Sequence, residues 1–533
     1  MDVLLINPPA GKPGEPPLGL AVLLGHLRSR GLTADAVDAN LDACLYLLAE
    51  DRLRAAAGTN PPTALRRAVK HAPRSLDLLR SPAACALFDR YQSAVHHLDS
   101  ALSAYRGASG DERYSLGDYR HDGLSEFVPA DLERVSRGEV ATLFDDYFRT
   151  VLLPRIAEAA PRMLAVSVNY LHQALPAFAL AGLLRRTFPD IPVVGGGGLF
   201  SSWRTLLKEQ DIRFSAFSRI VFGPGEASLA ALADGRAGAD YYLEDAAEIA
   251  FAPDFGFADL GAYLSPVPVL PVSASRGCYW RRCLFCPEAA SPTHPYAPFP
   301  GAFVELLRAL AARYGVRHFH LTDNALPPTI LRELAAAPEA MAGLGWHGFV
   351  RFEEELLDPD FVRGLAESGC RMLQLGLESG SQAVLDRLHK GTRVEQAARM
   401  LDNLHRAGIR TYVYVMLGTP GETEADAERT LRFLEAQGEK IDYLNLAIMN
   451  LPRESQLLVD PAAAGIAASA PLAEDAPLGL YRSFVPTTGW GRSEARRFLH
   501  KRLLGSPIIR AAVNRVPPGF TSNHAFLFNG LKT

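Results

Sequence analysis

The sequence predicts an α/β protein: an N-terminal doubly wound sheet interrupted by a helical insertion, then a partial (β/α)6 barrel, then a C-terminal helical extension. After Cys286 the chain alternates helical and strand patterns through about six units, as a parallel sheet wrapped by helices requires. Upstream, MDVLLINPP, PRMLAVSVNY, IPVVGGGGLFSS and SRIVFGPGEASL each read as a short apolar strand ending in proline, glycine or polar residues, the pattern of an open sheet whose ligands sit beyond its carboxyl edge. Residues 41–160 and 458–533 are dominated by helical periodicity.

Composition narrows the class. With 533 residues the chain has room for about three domains. Hydrophobic residues at 48% and charged residues at 21% describe an ordinary globular protein. A net charge of −4 creates no field toward nucleic acid or anionic lipid, so no nucleic-acid partner is expected. No apolar run reaches the roughly 18 residues of a transmembrane helix, and the start lacks the basic and apolar regions of a secretory signal. Three of the six cysteines are scattered and three are clustered, unlike a disulfide framework, so a reducing cytoplasm is expected.

The first unit is expected over 1–255, with the insertion at about 41–160. Its strands end near Pro8, Ser167, the run Gly195, Gly196, Gly197 and Gly198, and Gly223 with Glu226. Glycines there allow a ligand to approach the backbone. No G-x-G-x-x-G opens a helix in the first unit, which argues against a nicotinamide site. In the insertion, LDACLYLLAEDRLRAAA, PTALRRAVKHA and SALSAYRGA read as helices without catalytic chemistry.

The barrel is expected over 256–457. PGAFVELLRALAARYG, LLDPDFVRGLAESG, QAARMLDNLHRAG and EADAERTLRFLEAQG read as helices between strands VRHFHLTDNAL, RMLQLGLESGS, IRTYVYVMLGTPGE and IDYLNLAIMN. Functional side chains of such folds gather where strands end. Asp323 and Asn324, Arg351, and Glu378, Ser379 and Ser381 stand at such ends. His320 and His347 read as core histidines, Lys390 as a solvated lysine, and Cys370, in the helical-looking LAESGCRML, as a small core residue.

Just before the first of these helices stands SRGCYWRRCLFCP, with Cys278, Cys283 and Cys286 inside nine positions. Soft thiolates bind iron–sulfur clusters or zinc. A four-iron cluster normally takes four cysteines, so three leave one iron open for chemistry. Zinc would need a fourth ligand, with His294 as the candidate, and would make the chain a non-catalytic binding protein.

The motif resembles that of radical S-adenosylmethionine (SAM) enzymes: three cysteines on the loop after the first barrel strand, with an aromatic residue, here Phe285, before the third. The usual C-x3-C-x2-C is lengthened here to C-x4-C-x2-C by YWRR. The resemblance implies a [4Fe-4S] cluster on Cys278, Cys283 and Cys286 with SAM on the open iron. It further implies Glu378 on the ribose, Asp323, Arg351, Ser379 and Ser381 toward the methionine end, and LNLAIMN as an adenine wall. LHKG, at Lys390 and Gly391, is typical of the group.

The order LINPP, SVN, VVGGGG, VFGPGE directly before the barrel resembles the cobalamin-binding class of these enzymes, whose first domain is Rossmann-like. It implies cobalamin over Pro8, Ser167, Gly195, Gly196, Gly197, Gly223 and Glu226, or a vestigial domain. No Asp-x-His-x-x-Gly is present, so no histidine is expected on cobalt. The implied activity is reductive cleavage of SAM to a 5′-deoxyadenosyl radical and methylation of an unactivated carbon. Radical rearrangement or oxidative cyclisation without methyl transfer is the alternative. The implied partners are a small-molecule or peptide substrate and an external flavodoxin- or ferredoxin-type electron donor. Methylthiotransferases need three further N-terminal cysteines, and only Cys44 and Cys85 precede the motif.

In the extension, AAAGIAASAPLAEDAP reads as a linker and SEARRFLHKRLLGSPIIRAAVNRV as a basic helix broken at Pro507. PPGFTSNHAFLF is apolar enough to dock, over the barrel mouth or the domain interface.

Overall fold

The computed structural model describes residues 1–106, 110–236, 238–245, 252–290, 296–473, 475–521 and 523–529. Six parallel strands build the N-terminal sheet: β1 (Val3–Asn7), β2 (Ala34–Asp38), β3 (Met163–Ser167), β4 (Val193–Gly196), β5 (Arg219–Phe222) and β6 (Tyr242–Glu244). Their spatial order is β2-β1-β3-β4-β5-β6. Strand addition reverses after β2, and at such a reversal neighbouring loops diverge and leave a crevice at the carboxyl edge. All five residues of β1 are buried because helices cover both faces. Val3 and Leu5 pack with Leu20 and Leu24 of helix Leu18–Ser29, whereas Leu4 and Ile6 join the larger core shared with the insertion.

The insertion is mainly helical, built around the paired helices Thr63–Leu79 and Phe88–Leu102. It also holds a hairpin of Glu112–Tyr114 with Tyr119–His121, in which the Tyr119 hydroxyl donates to the Glu112 carboxylate at 2.6 Å. That short pairing sits among helical patterns and leaves no run of alternation to read.

The second sheet contains β7 (Val269–Val272), β8 (His318–Leu321), β9 (Gly345–Val350), β10 (Cys370–Glu378), β11 (Arg410–Leu417) and β12 (Tyr443–Ile448). They are parallel and lie side by side in chain order, with β7 and β12 at the two edges, so the barrel is open along one side. Leu270, Phe319 and Leu373 face the surrounding helices, while the alternate residues face the lumen. Cys370 is the first residue of β10 rather than part of a helix: helix Pro359–Glu367 stops, and Gly369 turns the chain at φ 92°. A Cβ at Gly369 would lie 2.1 Å from the Leu344 carbonyl oxygen, so this turn admits only glycine.

One expectation for the extension changes, and of the two places expected for the tail it takes the domain interface. Ile466–Pro471, inside the expected linker, is a strand pairing antiparallel with Tyr481–Pro486, which also pairs with Leu451–Pro452. Ile466 supplies the reason, since it is buried with Val384, Leu388 and Leu451. The tail does not cover the barrel mouth. Ala525, Phe526 and Leu527 pack with Val269, Met372, Tyr412 and Tyr443, all near the amino ends of their strands, so the tail closes the barrel floor. It also holds the insertion, through Tyr91 to His524 at 2.8 Å and the Phe88 and Phe528 rings at 5.1 Å. Among the described residues no helix is long and apolar enough to cross a membrane.

Candidate active site

The three thiols lie on the loop that follows β7, at the carboxyl end of the barrel. The loop's entry is held by Asp323, which accepts from the Ala274 amide at 2.9 Å and the Ser275 hydroxyl at 2.6 Å. Asp323 is buried, and burial raises its carboxyl to about 6 against those hydrogen bonds. It therefore anchors the loop and has little capacity left for a ligand. Ser275–Arg276 also pairs antiparallel with Ala297–Pro298.

Cys278, Cys283 and Cys286 are half-buried and free of disulfides. The Cys286 amide donates to the Cys283 carbonyl at 3.1 Å, which turns the loop. Among the described residues no three His, Cys, Asp or Glu side chains stand close enough to hold a single metal ion. His294, the candidate fourth zinc ligand, lies outside the described residues. Burial pushes the Cys283 thiol up, and Lys390 and Arg351 pull it back toward the thiolate. Three soft donors on one turned loop beside two cations fit an iron–sulfur cluster with an open iron.

The extra residue of the motif has a structural place. Arg281 takes a left-handed φ of 49°, and Trp280 turns inward. Its indole N–H donates to the His389 carbonyl at 3.3 Å, and the Arg351 guanidinium lies 4.0 Å from its ring centroid. A Cβ at Gly391 would lie 2.2 Å from the indole, so LHKG needs its glycine to admit this ring. Arg351 also reaches Glu353 at 2.9 Å, the Lys390 carbonyl at 2.5 Å and the Cys283 sulfur at 3.8 Å. The lengthened spacing was visible in the sequence, but what Trp280 packs on was not.

Glu378 ends β10 at a register shift, with a left-handed φ of 65°. Lys390 donates to it at 2.8 Å, and the two side chains are only 7% and 13% exposed. Lys390 is therefore a buried partner of the site and not a solvated lysine. Ser379 and Ser381 are buried and turn toward helix Glu424–Gln437, where Ser379 meets Thr430 at 3.1 Å and Ser381 donates to Asp426 at 2.6 Å. Phe285 lies against Lys390, with its ring centroid 5.9 Å from the ammonium. On β12, Asn445 and Ala447 are exposed at the open edge of the lumen.

A cavity of about 1040 Å³, including its open mouth, lies over the carboxyl edge of the N-terminal sheet. Ser167, Gly195, Gly196, Gly197, Gly223 and Glu226 line it, and so do Arg276 and Gly277 of the thiol loop. Pro8 is not among the lining residues: it is buried, and its carbonyl accepts from Gln173 at 2.7 Å. The glycines differ in why they are glycine. A Cβ at Gly197 would strike the Val168 carbonyl at 2.5 Å, a constraint of the fold. At Gly196 the nearest atom is 3.5 Å away, so its missing side chain leaves the cavity floor flat. Helix Gly198–Glu209 directs its amino end at this edge, which favours an anionic group. A flat corrin with a phosphate-bearing tail fits this cradle. Arg276 ties this cavity to the thiol loop: it pairs with the buried Glu226 at 3.2 Å and stands two residues before Cys278. Nothing local in the sequence marks that pairing.

A family profile described as the Radical SAM superfamily matches residues 272–434. Bacteriochlorophyllide d C-12(1)-methyltransferase of Chlorobaculum tepidum is 28% identical over 194 residues, 34% of this chain and 41% of that protein. Cytidylyl-2-hydroxyethylphosphonate methyltransferase of Streptomyces wedmorensis is 27% identical over 206 residues, 34% of this chain and 36% of that protein. The chain thus spans about two fifths of the length of the curated relatives it matches. Two solved structures share its fold over nearly its whole length. One is TsrM of Kitasatospora setae, a radical SAM methyltransferase with tryptophan and a SAM analogue bound (TM-score 0.53, 18% identity, 97% of this chain and 90% of that one). The other is the cobalamin-dependent enzyme OxsB with aqua-cobalamin and SAM bound (TM-score 0.59, 14% identity, 94% and 66%).

Proposed function

Residues 272–434 belong to the radical SAM superfamily, in a chain with the fold of its cobalamin-dependent members, and on that premise we propose that this protein is a cobalamin-dependent radical SAM methyltransferase acting on an unactivated carbon. The observation that carries the reading is that Arg276 and Gly277 line the cleft over the N-terminal sheet and lead directly into Cys278.

When bound, the cluster and SAM supply a 5′-deoxyadenosyl radical, and cobalamin supplies the methyl group. The chain's own residues do the rest. Cys278, Cys283 and Cys286 would hold the cluster and, being three, would leave it room to bind SAM. Asp323 and Trp280 fix the loop on the barrel, and Arg351 and Lys390 hold positive charge beside the sulfurs. Glu378 accepts from the SAM ribose with the lone pairs that Lys390 leaves. Ser379 and Ser381 fix the turn that presents Glu378, and Phe285 screens the site from water. The edge formed by Ser167, Gly195, Gly196, Gly197, Gly223 and Glu226 positions the corrin, and Pro8 acts behind it through Gln173. Holding two reagents against one substrate carbon is the protein's main contribution to rate. The substrate is a small molecule or peptide, the electron comes from a flavodoxin- or ferredoxin-type donor, and the setting is a reducing cytoplasm.

Anaerobic incubation with methyl-labelled SAM, a reductant, cobalamin and a panel of substrates read by mass tests this. Formation of 5′-deoxyadenosine and cobalamin-dependent label in a product are expected. A product of unchanged carbon count would replace methyl transfer with rearrangement or oxidative cyclisation. Loss of neither cluster nor 5′-deoxyadenosine in Cys283→Ala would remove the cluster assignment.

A further inference from the structure

A separate pocket of about 680 Å³, including its open mouth, lies where three parts of the chain meet. Ser201 lines it and also lines the cavity over the N-terminal sheet. Glu288 lines it from the thiol loop, two residues after Cys286. Arg453 and Glu454 line it from the segment after strand Leu451–Pro452. The pocket therefore adjoins both the corrin cradle and the thiols. Leu206, Leu480 and Tyr481 supply an apolar wall. Glu454 accepts from the Thr205 hydroxyl at 2.7 Å, which ties this wall to helix Gly198–Glu209. The other two charges have no answering group. Arg453 is half-buried, and its Nε donates to the Gly479 carbonyl at 3.1 Å, which fixes the guanidinium. Among the described residues its terminal nitrogens meet no acceptor, and no carboxylate stands within ion-pair distance of it. Burial, and then the neighbouring Arg482, pull its pKa below the ordinary arginine value, with Glu209 opposing. Glu288 is also half-buried, and its carboxylate has no hydrogen bond or ion pair among the described residues.

We propose that this pocket is a substrate site for an α-amino acid or a like zwitterion with an apolar body, its carboxylate on Arg453 and its ammonium on Glu288. A guanidinium anchored through one nitrogen still offers a planar fork that matches a carboxylate. A half-buried carboxylate with free lone pairs takes an ammonium in the same way. The two side chains line one pocket without pairing with each other, so a ligand of one sign would leave the opposite charge desolvated and unpaired. A ligand carrying both signs satisfies both. An apolar wall with a few placed charges, in a volume of this size, is the usual make-up of a small-molecule site. Because the walls come from the N-terminal domain, the thiol loop and the segment after the barrel, the site is complete only when these parts are docked. Calling the ligand a substrate rests on the reaction proposed above.

Equilibrium dialysis of the cluster-loaded full-length protein with three probes tests it: L-phenylalanine, L-phenylalaninamide, which lacks the carboxylate, and hydrocinnamate, which lacks the ammonium. The wild type should bind phenylalanine about tenfold more tightly than either relative, the value of one charge-assisted hydrogen bond. Arg453→Gln should weaken phenylalanine and hydrocinnamate by about tenfold and leave the amide unchanged. Glu288→Gln should weaken phenylalanine and the amide to the same extent and leave hydrocinnamate unchanged. In each variant the unchanged probe shows that the pocket is still folded. Equal losses for all three probes in either variant would overturn the inference, as would the absence of saturable phenylalanine binding by the wild type. Formation of 5′-deoxyadenosine by the wild type is assayed separately. Its absence would remove the proposed reaction and leave the dialysis result standing.

Discussion

At the scale of single residues, the site depends on two carboxylates with opposite surroundings. Glu378 is paired with a buried ammonium and stands on a left-handed backbone. Replacing it with alanine removes hydrogen bonds to the SAM ribose and leaves Lys390 buried without its counter-charge. Charge-assisted bonds of about 1.5–3 kcal/mol translate to about a tenfold to hundredfold loss of SAM affinity. Calorimetric titration of SAM into the cluster-loaded variant checks this, and an unchanged affinity would remove Glu378 from the ribose.

Asp323 is buried with no ion pair to a cation among the described residues, and its carboxyl rises from 3.8 to about 6. A raised folded value means that the protonated form is favoured in the fold. Its contribution to stability is full below the unfolded value near 4 and is lost as pH rises through about 6. In urea unfolding, wild type should lose stability relative to Asp323→Asn between pH 4 and 7. A constant difference across that range would show that Asp323 does not titrate there.

At the scale of elements, the glycine run shows how much a motif conveys. Four glycines in a row mark a strand end where backbone is close to something. Only the packed structure separates Gly197, which a Cβ would drive into Val168, from Gly196, where a Cβ would meet Val221 at an ordinary contact distance of 3.5 Å. Gly196→Val should weaken cobalamin binding and leave the cluster's absorbance intact, as read by dialysis and visible spectroscopy. Gly197→Val should lower overall stability, so it cannot serve as the same probe. The thiol loop behaves similarly. Spacing identified the three cysteines and the extra residue, whereas the wedge of Trp280 between Arg351 and Gly391 depends on a helix–turn more than a hundred residues away.

At the scale of the molecule, the tail joins what the chain order separates. Phe526 closes the barrel, and His524 and Phe528 bind the insertion of the first domain. Phe526→Ala should destabilise the chain by about 3–5 kcal/mol, the usual range for a buried phenylalanine, and should loosen barrel and insertion together. Coincident shifts in urea midpoints of tryptophan fluorescence and far-ultraviolet dichroism would show this; an unchanged midpoint would deny the tail a structural role.

The sequence by itself determined the alternation of helices and strands, the thiol spacing and the residues at strand ends. Each of these is a local pattern, set by side-chain period or by chemistry within a few positions. Tertiary structure alone decided that Lys390 is buried against Glu378, that Arg276 reaches Glu226, that His320 meets Glu15, and that the tail seals the floor rather than the mouth. Those pairings join positions 12, 50 and 305 residues apart. Which distant groups meet depends on how whole sheets dock, and a single sequence carries no local periodicity that records it.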